Sequence, residues 1–395
     1  MPSKVDSHFE DYKEQTRIKH EILTKYLKPY FEIRAKGNHD NLVYIDAFAG
    51  CGEYKSDAGA QPGSPIRALA TFASLKSGIG GKVTSIFIEE RKAFFDELVA
   101  AVLKFAPESK GLRTPHLSHG TFESEVNDLL SALRAKNAQL APSFLFADPC
   151  GVDGLKFSAL IRYLKEAQGE AFLFFNYSGV TRIAGVGYKA GGTLVNLLGG
   201  DDRARSLIER LEGQNADAKE EIIIAAYLEA LDYEIKDLFS TAFRIEFEDK
   251  RSTSHYLIHL TRNDLGFKLM KEIMWPLGRT NEGDGALSLE QASVAGNRPL
   301  FRPRWDEVKA SILRDLQAAA GPLATNYFYD TLSSQRGNQL CRPAYRKALL
   351  ELEAAGRVII KKGDNITTAA TRPKRGGPTL GDNYSIHLAK RVSPR

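Results

Sequence analysis

The stretch "VYIDAFAGCGEY", residues 43–54, decides the fold. Its apolar residues end at Asp46 and give way to Gly50 and Gly52, which is the pattern of a buried strand that feeds a tight turn. A turn with few side chains lets a ligand approach the backbone, so we predict a cofactor-binding turn. A structural turn of any α/β domain would also show two glycines, and this alternative stays open. The residues assigned to the predicted turn are Asp46, Phe48, Ala49, Gly50 and Gly52.

A helix is predicted before this strand, over residues 15–34, because apolar residues recur there at helical spacing. We expect this helix to pack on the sheet. Lys19 and His20 lie beside its apolar stripe. We interpret both as solvated or capping residues, and the alternative is a place near the cofactor.

Strands and helices alternate after the turn. The further strands are predicted at residues 83–90, 114–120, 143–151 and 171–179, which indicates an α/β fold with a parallel, doubly wound sheet. Residues 242–249 and 254–262 then form two alternating strands joined by "KRST", which predicts an antiparallel hairpin. Five parallel strands finished by such a hairpin are typical of class I methyltransferases, whereas dehydrogenase-type Rossmann domains continue with a sixth parallel strand.

The chain is long enough for two domains, since 395 residues exceed the usual size of one core. Residues 301–395 carry 17 Lys and Arg against 8 Asp and Glu, a net charge of +9, while the whole chain carries +5. This asymmetry indicates a polyanionic partner. Three predicted helices followed by two predicted strands give this part winged-helix order. The predicted domains are a methyltransferase-like domain at 1–276, a linker or flap at 277–303 and a basic winged-helix domain at 304–395.

The sequence has no apolar run near the roughly 20 residues that cross a bilayer, and its first residues are polar where a signal peptide would be apolar. We therefore expect a cytoplasmic protein without membrane contact. Its three cysteines, Cys51, Cys150 and Cys341, lie far apart, which fits neither a disulfide framework nor a zinc cluster. No metal site is predicted.

Acidic residues end two further strands. In doubly wound folds a carboxylate at the end of the second strand can accept both hydroxyls of a ribose, and we assign this role to Glu89, with Glu90 as the second choice. The fourth strand ends in "ADPCG", which places Asp148 opposite Asp46 at the carboxyl edge of the sheet. A capping role for Asp148 in the next turn is the alternative.

The "ADPCG" segment partly matches a motif of amino-methyltransferases, in which Asn or Asp, two prolines and an aromatic residue follow the fourth strand. There the acid or amide orients the acceptor nitrogen. Here Cys150 and Gly151 replace the second proline and the aromatic residue. We predict Asp148, Pro149 and Asn176 as catalytic residues, the last from "FFNYSGVTRI" at the end of the fifth strand.

The basic tail contains the predicted nucleic-acid contacts. A positive helix and a positive wing would neutralise phosphates, although a solvated charged surface or a protein-docking module would have the same composition. The predicted contacts are Arg342, Tyr345, Arg346 and Lys347 on the third helix and Arg372, Lys374 and Arg375 in the wing.

Several segments together resemble the three-Cys-motif partner proteins, TcmP. They are "KHEILTKYLKPYF", "YIDAFAGCGEY", "GSPIRAL", "FIEE", "FADPCG", "FFNYSGVTRI" and "YLIHLTRNDLGFKLMKEIMW", and the likeness runs from about residue 15 to 276. The resemblance implies a methyltransferase-like Rossmann fold and a partner similar to a radical-SAM protein. It also implies that Asp46, Gly50 and Gly52 form the cofactor turn and that Glu89 binds the ribose.

We therefore expect an S-adenosylmethionine-dependent methyltransferase that acts on nucleic acid, with a base amino group among the candidate acceptors and Asp148 orienting it. The alternative is a catalytically inactive protein of the same fold that recruits nucleic acid to its three-Cys-motif partner.

Overall fold

The structure is a computed structural model. It describes residues 14–37, 39–54, 59–76, 78–105, 111–167, 169–189, 191–246, 252–277, 305–319, 321–368, 370–372 and 380–389. The chain divides into two compact units, Met1–Gly266 and Phe267–Arg395. The predicted linker at 277–303 lies outside the described residues, apart from its first residue.

The first unit alternates strands and helices as the sequence predicts. Its strands are β1 (Leu42–Asp46), β2 (Glu53–Tyr54), β3 (Gln61–Pro62), β4 (Val83–Glu89), β5 (His116–His119), β6 (Ser143–Ala147), β7 (Glu170–Phe175), β8 (Phe239–Glu246) and β9 (Thr253–Thr261). Its helices are α1 (Glu14–Ala35), α2 (Ser64–Ala73), α3 (Lys92–Phe105), α4 (Phe122–Ala135), α5 (Phe157–Glu166), α6 (Tyr177–Val186), α7 (Thr193–Leu198), α8 (Asp201–Leu211) and α9 (Ala216–Glu234). Helix α10 (Asp264–Met274) contains the division between the units.

Seven strands form the main sheet, in the order β5-β4-β1-β6-β7-β9-β8. The first five are parallel neighbours, and β9 pairs antiparallel with both β7 and β8. The predicted parallel sheet with a terminal antiparallel hairpin is thereby confirmed. This order, with the last strand inserted beside the fifth parallel one, is the order of class I methyltransferases.

Helix α1 packs on the sheet through aromatic side chains. Tyr26 and Tyr30 lie 5.4 and 5.3 Å from the ring of Phe144, and the Tyr30 hydroxyl donates to the Ser143 carbonyl at 2.8 Å. The Tyr26 hydroxyl donates to buried Glu170 at 2.5 Å. Because every residue of β1, β6 and β7 is buried, these strands tolerate apolar side chains on both faces, as parallel strands covered by helices do. The three central strands are therefore covered on both faces up to the carboxyl edge.

Helix α2 begins at Ser64, Gly63 occupies its capping position and no side chain caps it. The Ser64 hydroxyl instead lies close enough to Asp46 to lower the pKa of that carboxyl. The Ser64 side chain thus acts on Asp46 and does not cap the helix.

The described residues from Trp305 onward contain a small antiparallel sheet and three helical segments. These are α11 (Trp305–Ala318), β10 (Leu323–Ala324), a π-helix (Tyr327–Leu332), α12 (Arg342–Ala354), β11 (Val358–Lys362), β12 (Asn365–Thr367) and β13 (Ser385–Leu388). The sheet order is β10-β13-β11-β12. The three predicted helices and two predicted strands are present, and β10 and β12 are two short strands that the sequence analysis did not find.

None of the helices in the described part of the chain is long and apolar enough to span a bilayer.

Candidate active site at the carboxyl edge of the sheet

Three neighbouring parallel strands each bring an acid to the same edge. Asp46 ends β1 and stands in register with Phe87 on β4 and Phe146 on β6. Glu89 and Asp148 follow those two partners by two residues. The sheet order therefore places Glu89 and Asp148 on either side of Asp46, which agrees with the predicted position of Asp148 opposite Asp46.

The glycine turn after β1 is held by backbone hydrogen bonds. The Ala49 N–H donates to the Ile88 carbonyl at 2.8 Å, and the Gly63 N–H donates to the Gly52 carbonyl at 2.7 Å. Gly52 has φ +81°, and a Cβ there would lie 2.9 Å from the Cβ of Ala101. Gly50 also has positive φ, 62°. The turn thus requires glycine both for its backbone conformation and for its close approach to α3.

Glu89 joins this turn to the end of β4. Its Oε2 accepts a hydrogen bond from the Gly50 N–H at 2.9 Å, and its Oε1 accepts one from the Arg91 N–H at 2.9 Å. The residue is only 6% exposed, whereas neighbouring Glu90 is exposed. Of the two candidates for the ribose acid, Glu89 is therefore the one that faces the turn.

Asp46 is fully buried, and neither of its carboxylate oxygens has a partner in good hydrogen-bond geometry among the described residues. Burial raises the pKa of this carboxyl to about 7, the nearby charge of Asp148 adds to the rise, and the Ser64 hydroxyl and the Phe48 N–H oppose it. A positive charge brought close to Asp46 would therefore stabilise the ionised form of this carboxyl group.

Asp148 is paired with a lysine of the N-terminal helix. The Lys19 ammonium donates to Asp148 Oδ2 and lies 4.5 Å from the centre of the Phe174 ring, which in turn stacks on His255 at 4.1 Å. Lys19 is 3% exposed and His20 is 1% exposed. The interpretation of Lys19 and His20 as solvated or capping residues is wrong. Both side chains are buried, because this end of α1 packs against the carboxyl edge of the sheet.

A small hairpin brings a further aromatic residue to the site. The Tyr54 ring on β2 lies 5.8 Å from that of His20. Burial raises the pKa of Tyr54 well above its usual value, and the charge of Asp148 raises it further. Burial also lowers the pKa of His20, with help from the charge of Lys19. Sequence analysis missed Tyr54, since two-residue strands leave no periodic signal.

The remaining predicted residues shape the edge of the site. Asn176 is the N-cap of α6, with its Oδ1 accepting the Gly179 N–H at 2.8 Å. The side chains of Phe48 and Pro149 pack against Gly154. A Cβ atom added at Gly154 would lie 3.1 Å from Phe48 and 3.0 Å from Pro149. Asn176 thus has a structural partner in this conformation, while Phe48 and Pro149 pack the loop after β6 against the turn.

Comparisons with known proteins add neighbours of low similarity. The sequence matches no family model and no curated protein. Among solved structures, a Legionella pneumophila protein of the DUF519 family is 12% identical, with 65% of this chain and 87% of that chain covered and a TM-score of 0.39. An O-methyltransferase from Bacillus cereus, solved with SAH, is 12% identical, with coverages of 64% and 83% and a TM-score of 0.33.

A putative rRNA methylase from Clostridium thermocellum is 10% identical, with coverages of 56% and 89% and a TM-score of 0.28. The order and direction of the strands in the main sheet identify the fold.

The predicted nucleic-acid contacts of the second unit occupy different environments. Tyr345 is 4% exposed and belongs to the core. Arg372 is 2% exposed and forms an ion pair with Glu353. Arg342 pairs with Asp382, and Arg346 and Lys347 are half-buried on the same helix. Burial removes Tyr345 and Arg372 from an exposed basic surface, and Lys374 and Arg375 lie outside the described residues.

Within the described ranges, no group of three His, Cys, Asp or Glu side chains could hold a metal ion. The cysteine of the active-site loop, Cys150, is exposed and lies 3.9 Å from the Arg91 guanidinium, while Cys51 and Cys341 are buried. Desolvation of the thiol by neighbouring atoms, followed by the charge of Asp148, raises the pKa of Cys150, which disfavours a thiolate there.

Proposed function

We propose that the first unit is an S-adenosylmethionine-dependent methyltransferase. The observation that carries this proposal is the meeting of Asp46, Glu89 and Asp148 beside a tight glycine turn, at the carboxyl edge of a sheet with class I methyltransferase order. In an open α/β sheet ligands bind at the carboxyl edge where the strand order reverses, and here that point lies between β1 and β6.

The residues of the turn fit the proposed cofactor. Asp46 is a buried acid without a well-formed hydrogen bond, as expected of a group that meets a cation when the site is filled. Each Glu89 oxygen accepts one backbone N–H, and the Arg91 guanidinium lies 3.5 Å from Oε1, so the carboxylate has acceptor capacity left for ribose hydroxyls, above all at Oε2. The glycines remove the Cβ atoms that would block an approach to the backbone.

The cofactor would supply an activated methyl group, so the protein has mainly to align the acceptor and exclude water. Asp148 would orient the acceptor, since it retains 18% side-chain exposure at the edge of the site. Phe48 and Pro149 would limit the entry of water by packing the loop after β6.

We propose nucleic acid as the acceptor and a winged-helix role for the second unit. The net charge of +9 over residues 301–395 supports a polyanionic partner, and Arg342, Arg346 and Lys347 are the described candidates on α12. The second candidate function is an inactive adaptor of the TcmP type that works with a radical-SAM-like protein. The partial "ADPCG" match favours that candidate, because two positions of the amino-methyltransferase motif are replaced.

A transfer assay separates these functions. The purified chain would be incubated with S-adenosylmethionine labelled in its methyl group and with total RNA or DNA. We expect label in nucleic acid from the wild type and at least about a hundredfold less from Asp148→Ala, in line with the loss of a positioning group in an active site. Equal labelling by both proteins would remove Asp148 from the mechanism. Salt-sensitive binding of nucleic acid without labelling would favour the adaptor.

A further inference from the structure

Lys19 lies at a buried position, where removing an ammonium group from water costs free energy. Its side chain is 4% exposed, and it lies on the buried stripe of α1 together with Ile22, Leu23 and Tyr26. A buried ammonium needs a paired charge, and Lys19 has one in Asp148, an ion pair across 129 residues of sequence. An apolar residue at this position of the stripe would pack α1 without that cost, so the lysine indicates a task at the site.

The ion pair makes the two carboxylate oxygens of Asp148 different, because the Lys19 ammonium donates to only one of them. Oδ2 accepts from the Lys19 ammonium, while the carboxylate as a whole keeps 18% of its exposure. Phe174 limits the movement of the ammonium, since its ring lies 4.5 Å from Nζ and is itself stacked on His255. An incoming polar group therefore meets a carboxylate whose orientation is fixed and whose charge is already partly balanced.

We propose that Lys19 is a positioning residue that acts through Asp148, holding the carboxylate so that Oδ1 alone is offered to the methyl acceptor. This inference rests on the proposed function. Lys19 balances the charge of Asp148, so the site favours a neutral acceptor group, such as an amino or hydroxyl group, over a cationic one. The N-terminal helix, which precedes the Rossmann-type core in sequence, thereby becomes part of the acceptor site.

A purely structural brace between α1 and the sheet would show the same ion pair. The two roles differ in what happens to a charged ligand. If Lys19 sets the charge at the acceptor position, its removal exposes a free carboxylate to any cation that reaches there. If Lys19 only braces the helix, its removal weakens folding and leaves the ligand preference unchanged.

The test compares the binding of two cofactor analogues by calorimetry. S-adenosylhomocysteine lacks the transferable methyl group, and sinefungin carries an ammonium on the carbon that replaces the sulfur. The measured quantity is the ratio of the dissociation constant of S-adenosylhomocysteine to that of sinefungin. We expect this ratio to rise by about tenfold in Lys19→Met, because the ammonium of sinefungin then pairs with Asp148 alone.

A second variant keeps the test decisive if Lys19→Met does not fold. In Asp148→Asn the Lys19 ammonium loses its partner and repels sinefungin, so the ratio should fall by several-fold, on the order of fivefold. Lys25→Met is the matched control, since Lys25 lies on the same helix in an exposed ion pair with Glu21 and should leave the ratio unchanged. Lys19→Arg should also keep a ratio close to that of the wild type.

The outcomes are separable. A higher ratio in Lys19→Met, or a lower one in Asp148→Asn, supports the inference. Wild-type ratios in folded variants overturn it while leaving the proposed function intact. Failure of the folded wild type to bind either analogue overturns the proposed function and this inference with it.

Discussion

Glu89 and Gly50 are joined by a hydrogen bond of 2.9 Å between a carboxylate oxygen at the end of β4 and a backbone N–H in the turn after β1. This bond ties together the two loops that a cofactor would contact. It also gives this buried carboxyl group a hydrogen-bond partner, which offsets part of the cost of burying a polar group.

Replacing Gly52 by alanine should destabilise the first unit. The new Cβ would lie 2.9 Å from the Cβ of Ala101 at a backbone φ of +81°. We expect a loss of about 2–4 kcal/mol in the free energy of unfolding, measured by urea denaturation. Gly78→Ala is the control, because Gly78 has a similar φ of +84° but open space around it, and it should lose only about 1 kcal/mol. Equal losses would show that the contact with Ala101 is unimportant.

Asp46→Asn should change how stability depends on pH. Burial raises the pKa of Asp46 from 3.8 to about 7 in the folded protein. The folded state therefore binds a proton that the unfolded state releases, and the wild type loses stability as the pH rises from about 4 through 7. The amide cannot ionise, so its stability advantage over the wild type should grow across this range, by about 4 kcal/mol.

The free energy of unfolding of both proteins, measured at intervals between pH 4 and 8, checks this expectation. Two parallel curves would contradict the raised pKa of Asp46.

Lys271→Met should destabilise the second unit. The Lys271 ammonium donates to the carbonyls of Ser333, Asn338 and Leu340 at 2.6, 2.8 and 2.9 Å, and the residue is 1% exposed. Removing the donor takes one hydrogen bond from a buried carbonyl and one from each of two part-buried carbonyls, so we expect a loss of about 3 kcal/mol.

The loss would be measured as the shift of the unfolding transition of the full chain in urea. Lys309→Met is the control, since Lys309 forms surface ion pairs with Asp306 and Glu351 and should cost less than about 1 kcal/mol. Similar losses in both variants would show that the three carbonyls find other partners.

Much of the fold could be predicted from the sequence, because long periodic segments carry a strong signal. The parallel strands, the terminal hairpin and the edge position of Asp46, Glu89 and Asp148 all follow from pattern and chain order. Lys19 could have been found as well, since it precedes Leu23 by four residues and Ile22 by three on the buried stripe of α1. Its charge instead favoured the interpretation of Lys19 as a solvated or capping residue.

Other features depend on long-range contacts that a local pattern does not encode. The ion pair of Arg372 with Glu353 turns a predicted surface arginine into a buried one. The effect of the Ser64 hydroxyl on the pKa of Asp46 exists only once β1 and α2 have packed together. Tyr54 reaches the site on a strand too short to be recognised.

The measurement that tests the central claim most directly is calorimetric titration of the folded wild type, Glu89→Ala and Glu90→Ala with S-adenosylhomocysteine. We predict micromolar binding by the wild type, binding weaker by at least about tenfold in Glu89→Ala, and unchanged binding in Glu90→Ala, since only Glu89 faces the turn. No binding by the wild type, or equal binding by all three proteins, would contradict the assignment of this edge as a cofactor site.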